Sequence, residues 1–241
     1  ESCDRLLRHA SESLLRAQAH NLKGIALTAL AGEKTDKLAE AENEFRAALE
    51  LGVDLPIIHY NLSVALLKQN RDPEGIEELK AYLQLAPRGG AADQARRMID
   101  NPRRARENFA PDFSFTTLDS EHISSEDLLG KVVLLDFWAT WCPPCREALP
   151  QLKSLYKKYR QEPFVLISIS SDRDEQQWRT FIEREKMEWP QFLDRSDSMG
   201  RLFEARSIPT YVLIDAEGII RHRATGLPET SFLGSEIKKS M

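Results

Sequence analysis

Apolar side chains recur at helical spacing through the first hundred residues, which show almost no strand-like pattern. This stretch is rich in Ala, Leu, Glu, Lys and Arg, residues that favour helices. Short breaks occur at Gly32, between Gly52 and Pro56, and at Asp72-Pro73. The pattern predicts antiparallel pairs of helices over about 22–30, 38–51, 57–67 and 76–85, with a covering helix at about 91–99.

The second half of the chain has a different pattern. Residues Val132 to Phe137 form an apolar run that contains one acidic residue, Asp136, and predicts a buried strand. A helix is expected to begin near Pro143. Further along, the pattern predicts a helix over 175–185 and a short extended piece over 188–193.

Length and composition limit the number of domains. With 241 residues and 41% hydrophobic content, the chain can form one large core or two modest cores, and the different patterns of its two halves favour two. We therefore expect an all-helical domain over 1–108 and an α/β domain over 109–241. The net charge of −5 gives no electrostatic argument for binding nucleic acid or an anionic membrane. The basic cluster at 103–106 is expected to form a solvated or salt-bridged helix face.

Two cysteines separated by two prolines follow the predicted strand. If a helix begins at Pro143, Cys142 lies at its N-terminus, where unpaired N–H groups and the helix dipole favour a thiolate. Cys142 is therefore the expected nucleophile. The spacing brings Cys145 close enough to attack a mixed disulfide at Cys142, so Cys145 is the expected resolving thiol. We expect Cys142 to be exposed and Cys145 to be sheltered.

Metal binding is the alternative interpretation of this cysteine pair. A zinc site needs three or four ligands in total. The one further cysteine is Cys3, and the five histidines have no paired spacing that would complete the set. For copper, His222 is the one candidate for an added ligand, and a surface position on a late strand is the simpler interpretation. The sequence therefore predicts no metal site.

The residues around the cysteines resemble a known family. The run Val-Val-Leu-Leu-Asp-Phe-Trp-Ala-Thr-Trp-Cys-Pro-Pro-Cys-Arg at 132–146, with Ser-Ile-Pro-Thr at 207–210, resembles the thioredoxin superfamily, most closely its TlpA/ResA-type branch of extracytoplasmic thiol-disulfide oxidoreductases. The segments at 110–115 and 130–133 resemble the same branch. The likeness runs from about Ala110 to the end of the sequence. It implies a thioredoxin-like fold, with a central mixed β-sheet flanked by helices, and a redox-active Cys142–Cys145 disulfide without another cofactor.

The resemblance also assigns roles to other residues. Asp136 matches the buried acid of thioredoxins, which serves as a proton acceptor near the resolving cysteine. Burial at the end of an apolar strand would raise its pKa toward a range useful for moving protons. Pro209 matches the family's cis-proline, which faces the cysteine pair. The residues expected to contact an extended substrate segment are Trp141, Pro143, Pro144, Ile208, Pro209 and Thr210.

The segment from Asp172 to Gln191 resembles the central insertion of the TlpA/ResA branch and of peroxiredoxins. A peroxiredoxin-like peroxidase is therefore an alternative. Peroxiredoxins place the reactive cysteine after a Pro-x-x-x-Thr-x-x-Cys pattern. Here Ala139 lies three residues before Cys142 and Thr140 only two before it, so dithiol exchange is favoured.

The helical half contains two related units with a period of about 34 residues. The second unit resembles the tetratricopeptide repeat (TPR) at Leu62, Ser63, Leu66, Gly75, Leu79, Tyr82 and Pro87. The first unit resembles it at Gly24, Leu27, Ala41, Phe45 and Ala48, with about five extra residues around 33–38. The resemblance implies a concave surface that binds a protein segment. A generic helical bundle is the alternative.

These features predict a thiol-disulfide oxidoreductase that exchanges its cysteine pair with protein substrates. The resemblance implies a reductant in the bacterial periplasm or cell envelope, with an upstream electron donor and a protein partner at the repeats. The 241 residues contain no apolar run long enough to cross a membrane, and a signal or anchor is expected outside them. A TPR scaffold or adaptor with a redox-sensing domain is the second hypothesis.

Overall fold

The computed structural model describes residues 2–32, 35–226 and 230–240, with side chains described over 11–32, 36–226 and 233–240. The side chain of Cys3 therefore lies outside the described part. The chain forms two compact units, one ending at Glu107 and the other beginning at Asn108. This boundary lies one residue before the division expected from the sequence.

The first unit consists of helices close to where the apolar pattern predicts them. Helix α1 begins at Ser2, well before the predicted start at about residue 22. Residues 11–16 are mostly exposed, so this part of the helix lacks the regular buried face on which the prediction depends. Proline at the first helical position begins the third helix. The helices are α1 (Ser2–Ala31), α2 (Thr35–Glu50), α3 (Pro56–Lys68), α4 (Asp72–Leu85) and α5 (Gly90–Asp100), followed by a 3-10 turn (Pro102–Ala105).

The core of the first unit joins successive helix pairs. Helices α1, α2 and α3 share one apolar cluster in which Phe45 is fully buried. A second cluster joins α3, α4 and α5. In this cluster α5 covers the α3–α4 pair with Ala92, Ala95 and Met98, as the sequence predicts.

The two helix pairs carry equivalent histidine–glutamate contacts. Nδ1 of His20 lies 2.7 Å from Glu44 in the α1–α2 pair, and Nδ1 of His59 lies 2.6 Å from Glu78 in the α3–α4 pair. The sequence separations are 24 and 19 residues, a difference that matches the five extra residues expected in the first unit. Of those extra residues, 33 and 34 lie outside the described part of the chain.

The basic cluster forms ion pairs within the first unit, as expected. The Arg106 guanidinium donates to the Leu67 carbonyl at 2.6 Å and forms an ion pair with Asp72. Arg103 Nε donates to Glu107 at 2.7 Å. The cluster therefore contributes to the structure of this unit.

A glycine allows α1 and α2 to approach closely. A Cβ atom added to Gly24 would lie 2.5 Å from the ring of Phe45, which is fully buried. We expect Gly24→Ala to lower the free energy of unfolding by ~1–3 kcal/mol, despite the better helix propensity of Ala, because the core must shift. Urea unfolding of the full chain, followed at 222 nm, measures this. Gly90→Ala is the control, since no described atom lies within 4 Å of its added Cβ; equal effects of the two changes would contradict the prediction.

The second unit contains a five-stranded mixed sheet in the order β5-β4-β3-β6-β7, and a separate antiparallel pair, β1-β2. Strands β3, β4 and β5 are parallel, whereas β6 and β7 run antiparallel to their neighbours. The mixed sheet implied by the resemblance is thereby confirmed. The strands are β1 (Ser114–Thr116), β2 (His122–Ser124), β3 (Val132–Trp138), β4 (Phe164–Ser170), β5 (Gln191–Leu193), β6 (Thr210–Ile214) and β7 (Ile220–Thr225).

Both faces of this sheet are covered. All seven residues of β3 are buried, as a central strand covered on both faces requires. The longest helix of this unit begins at the predicted proline, and the helix over 175–185 has the predicted bounds. The helices are α6 (Pro143–Tyr159), α7 (Glu175–Glu185), α8 (Ser198–Leu202) and α9 (Thr230–Ser240). Helices α6, α7 and α9 pack on one face, and α8 with the β1-β2 pair packs on the other.

None of the helices in the described residues is both long enough and apolar enough to span a membrane.

Candidate active site

The cysteine pair lies at the start of α6, just after the loop that follows β3. Cys142 is the N-cap residue of α6, and Pro143 and Pro144 occupy the first helical turn. Cys142 and Cys145 form a disulfide bond, with the Cys145 backbone N–H donating to Cys142 Sγ at 3.3 Å. The helix N-terminus is therefore directed at the Cys142 sulfur, as the sequence predicts, and this arrangement favours a thiolate there after reduction.

Exposure does not distinguish the two cysteines. Cys142 is 3% exposed and Cys145 is 4% exposed, so the expectation of an exposed Cys142 beside a sheltered Cys145 is wrong for the disulfide form. The physical reason is the cap itself, because Cys142 turns its sulfur back over the first helical turn, toward the N–H of Cys145. Exposure in the disulfide form therefore does not assign different roles to the two thiols.

The second loop of the site carries Pro209. The Ile208–Pro209 peptide bond is cis, as the motif predicts, and Cys142 Sγ lies 3.8 Å from the Ile208 carbonyl oxygen. The structure thus brings this loop, distant in sequence, against the cysteine pair.

The residues expected to contact substrate differ in exposure. Trp141 is 62% exposed beside the disulfide, and Pro143 is exposed next to it. Pro144 and Ile208 are half-buried, and Pro209 is buried. A rim of exposed and half-buried apolar side chains therefore surrounds the buried sulfurs.

Thr210 does not present its side chain at the surface. It is buried in β6, and its hydroxyl donates to the Ser207 carbonyl at 2.6 Å. The side chain therefore supports the loop before Pro209, and the expected contact of Thr210 with substrate stays a prediction. The hydroxyl faces inward because Thr210 is the first residue of a buried strand.

Asp136 is buried in the middle of the sheet, with only 2% of its surface exposed. Because side chains alternate along a strand, it shares a face of β3 with Leu134 and Trp138, the face covered by the cysteine-bearing end of α6. Ser168 Oγ donates to Asp136 Oδ2 at 2.7 Å. Desolvation raises the pKa of Asp136 to about 7, and the bond from Ser168 opposes this rise.

A second buried carboxylate, Asp172, holds the loop that carries the cysteines. Asp172 accepts hydrogen bonds from the Thr140 backbone N–H at 2.9 Å and from the Thr140 hydroxyl at 2.7 Å. Ser170 Oγ adds a third bond at 2.6 Å. Sequence reasoning missed this role, although an acidic residue just after the end of a strand adjacent to β3 could have indicated it.

We expect Asp172→Asn to lower the free energy of unfolding by ~1–3 kcal/mol, because an amide oxygen cannot accept all three bonds that the carboxylate accepts. Urea unfolding of the oxidised full chain measures the change. Asp174→Asn is the matched control: Asp174 caps α7 by accepting from the backbone N–H groups of Gln176 and Gln177, and Asn caps equally well. Similar losses in both variants would contradict a special role for Asp172.

The copper candidate His222 is not brought to the cysteines. It lies on β7, opposite Leu213, and β6 separates β7 from β3 in the sheet. Within the described ranges, no three or more His, Cys, Asp or Glu side chains are grouped so that they could hold a metal ion.

Comparisons with known proteins find relatives of the second unit of the chain. The sequence model of the AhpC/TSA family matches residues 107–223. The thiol-disulfide oxidoreductase ResA of Bacillus cereus (strain ZK / E33L) is 32% identical over 117 residues, which are 48% of this chain and 68% of that protein. The thioredoxin-like protein YneN of Bacillus subtilis (strain 168) is 37% identical over 114 residues, 46% of this chain and 66% of that protein.

A solved structure shows the same fold. The crystal structure of a thiol:disulfide interchange protein of the thioredoxin family from Chlorobium tepidum TLS superposes with a TM-score of 0.52 at 26% identity, covering 56% of this chain and 97% of that one. The second unit is thus a thioredoxin-like domain, and the protein is a thiol-disulfide oxidoreductase. The chain belongs to the family of the thiol-disulfide oxidoreductase ResA.

Proposed function

We propose that the protein exchanges its Cys142–Cys145 pair with disulfides of protein substrates and acts as a reductant. The observation that carries the proposal is the placement of Cys142 as the N-cap of α6, with the Cys145 N–H donating to its sulfur. A thiolate at that position is stabilised by the helix N-terminus. The exposed Trp141 beside it offers an apolar surface to a substrate chain.

The reaction needs two exchange steps. The Cys142 thiolate attacks one sulfur of the substrate disulfide, so that a Cys142–substrate bond forms and the other substrate sulfur leaves as a thiolate. Cys145 then attacks Cys142 Sγ, forms the Cys142–Cys145 disulfide and releases the second substrate thiolate. Two electrons pass to the substrate. Asp136 accepts the proton of Cys145, since the alternation of side chains places Asp136 on the face of β3 that packs against the end of α6 bearing Cys145.

Regeneration requires an upstream dithiol donor, because each turnover leaves the cysteine pair oxidised. The resemblance to the TlpA/ResA branch supports a place in the bacterial cell envelope or periplasm. We propose no resident cofactor beyond the cysteine pair.

We propose that the first unit is a pair of TPR-like repeats that binds a protein partner. The equivalent contacts His20–Glu44 and His59–Glu78 support the repeat, as do the glycines at the close helix approaches. A Cβ on Gly24 would meet Phe45, and one on Gly75 would meet Leu67. Both positions are ones at which the TPR pattern has small residues. The first unit would thereby deliver partners to the thiol site.

Catalysed reduction of insulin by dithiothreitol tests the proposed reaction. We expect the wild-type chain to accelerate insulin precipitation well above the uncatalysed rate. An equilibrium titration against glutathione should show the pair to be more reducing than the glutathione couple. A strongly oxidising potential would overturn the reductant role. Rapid oxidation by hydrogen peroxide without insulin reduction would favour the peroxidase alternative.

A different experiment separates the enzyme from a scaffold. Full-length Cys145→Ser and Cys142→Ser/Cys145→Ser chains are compared in affinity capture from the source cell envelope, with and without dithiothreitol, because mixed disulfides at Cys142 accumulate only when Cys145 cannot resolve them. We expect some partners captured by Cys145→Ser to be lost from the double variant and on reduction, because they are held through mixed disulfides at Cys142. Identical partner sets in all samples would favour the scaffold hypothesis.

A further inference from the structure

A chain of hydrogen bonds leads from the inserted segment to Asp136. Trp189 Nε1 donates to Ser168 Oγ at 2.8 Å, and Ser168 Oγ donates to Asp136 Oδ2 at 2.7 Å. All three side chains are buried. Because the indole can only donate, it occupies a lone pair of the serine oxygen and directs the single hydroxyl proton toward Asp136. The hydrogen bonds therefore run in one direction, from Trp189 through Ser168 to Asp136.

The position of Trp189 is set by the helix that begins at the cysteines. Its ring packs against that of Tyr156 in α6, with a centroid distance of 5.4 Å. The Tyr156 hydroxyl also donates to the Glu188 carbonyl, next to Trp189, at 3.2 Å. Trp189 belongs to the insertion over 172–191 and lies two residues before β5. The insertion is thus connected to the proton acceptor through one serine.

Few groups face the Asp136 carboxyl. Ser168 is its register partner on β4, and Tyr211 is its register partner on β6. Burial, and then the charge of Asp136, raise the pKa of Tyr211, so its phenol stays neutral. From α6, Cys142 and Cys145 pack in the apolar cluster on the same face of β3. No side chain in the described part of the molecule donates to Asp136 Oδ1.

We propose that Ser168 and Trp189 are positioning residues of disulfide exchange: Trp189 orients the Ser168 hydroxyl, and Ser168 holds the Asp136 carboxylate by Oδ2 so that Oδ1 is free to accept the proton. The catalytic part of this statement rests on the proposed function of Asp136. The hydrogen-bond chain itself does not depend on that function. Sequence reasoning assigned neither residue to the site.

Carbon-13 NMR of the aspartate carboxyl groups in the oxidised full-length protein tests the chain directly, with the Asp136 signal identified by its absence in Asp136→Asn. Ser168→Ala should raise the pKa of Asp136 by about one pH unit or more, because a bond to the charged form is lost. Trp189→Phe should raise it by less, and Ser168→Thr, which keeps the hydroxyl, should return it close to the wild-type value.

Ser170→Ala is the matched control, because Ser170 is a buried serine on the same strand whose hydroxyl donates to Asp172 instead. It should leave the Asp136 titration unchanged. If Ser168→Ala fails to fold, Trp189→Phe and Ser168→Thr decide the result. An Asp136 titration that is the same in the wild type and in the variants lacking the hydroxyl or the indole N–H would overturn the proposal.

The pH dependence of insulin reduction separates this proposal from the proposed function. We expect the part of the pH–activity profile that depends on Asp136 to shift in the same direction as the pKa of Asp136 measured by NMR. If the wild-type protein reduces no insulin but the pKa of Asp136 still shifts in Ser168→Ala, the proposed function is wrong, while the hydrogen bonds from Trp189 through Ser168 to Asp136 are confirmed. If the pH–activity profile stays fixed while the pKa of Asp136 shifts, the role of Ser168 and Trp189 in disulfide exchange is overturned.

Discussion

Cys142→Ser should reduce the rate of insulin reduction to the uncatalysed level, a loss of at least ~10³-fold typical for removal of a covalent nucleophile. A serine hydroxyl at the N-cap of α6 keeps the cap but is not ionised near neutral pH, so it cannot attack a disulfide. The fold should therefore survive while the reaction does not. Turnover of insulin with dithiothreitol, with far-UV circular dichroism as a check of folding, measures both effects.

Cys145→Ser should have a different result at the same site. The Cys142 thiolate still attacks, but no resolving thiol follows, so mixed disulfides accumulate and can be separated by non-reducing electrophoresis. Cys3→Ser is the control, because it leaves the Cys142–Cys145 pair intact, and it should keep wild-type turnover. Trapping through Cys145 in the Cys142→Ser variant would reverse the assigned roles.

Asp136 should make the stability of the protein fall as pH rises. Its pKa is about 7 in the folded state and near 4 when unfolded, so between these values the folded state holds one more proton. The stabilisation is fully present below about pH 4 and is lost as pH rises to about 7, a total on the order of 2–4 kcal/mol. Urea unfolding of the oxidised protein at a series of pH values measures this slope.

Asp136→Asn should remove that slope and make the variant more stable than the wild type above pH 7, because a neutral amide avoids the cost of burying a charge. The same change should slow insulin reduction by roughly 10²-fold, the usual contribution of a positioned proton acceptor. Asp119→Asn, at an exposed position, is the control for both measurements. A variant that is less stable and equally active would contradict both parts of the argument.

Local features of the chain predicted much of the fold. The helix over 175–185, the strand from Val132 and the helix starting at Pro143 were expected from periodicity and turn chemistry, and the structure confirms them. The predicted start of α1 was wrong, because hydrophobic periodicity is a weak signal where most of a helix is exposed. The exposure of Cys142 was also wrong, because burial depends on which way an N-cap side chain turns.

The candidate site also contains residues that the sequence indicates and residues that only the tertiary structure identifies. Cys142 and Cys145 are recognisable from residue type and spacing, whereas Asp136 and Pro209 are recognisable because two short stretches resemble the thioredoxin superfamily. Ser168 and Trp189 carry no such signal. Neither residue type marks a site by itself, and the role of each depends on which strand lies beside which.

The sequence by itself determined the two-part organisation, the helical character of the first part, and a cysteine pair at a helix N-terminus after a buried strand. These follow from local patterns along one stretch of chain. Only the tertiary structure decided that Asp172 holds Thr140, that Ser168 reaches Asp136, and that Trp189 reaches Ser168. Those contacts join segments more than 20 residues apart in sequence, and sheet order and register, which no local pattern specifies, bring them together.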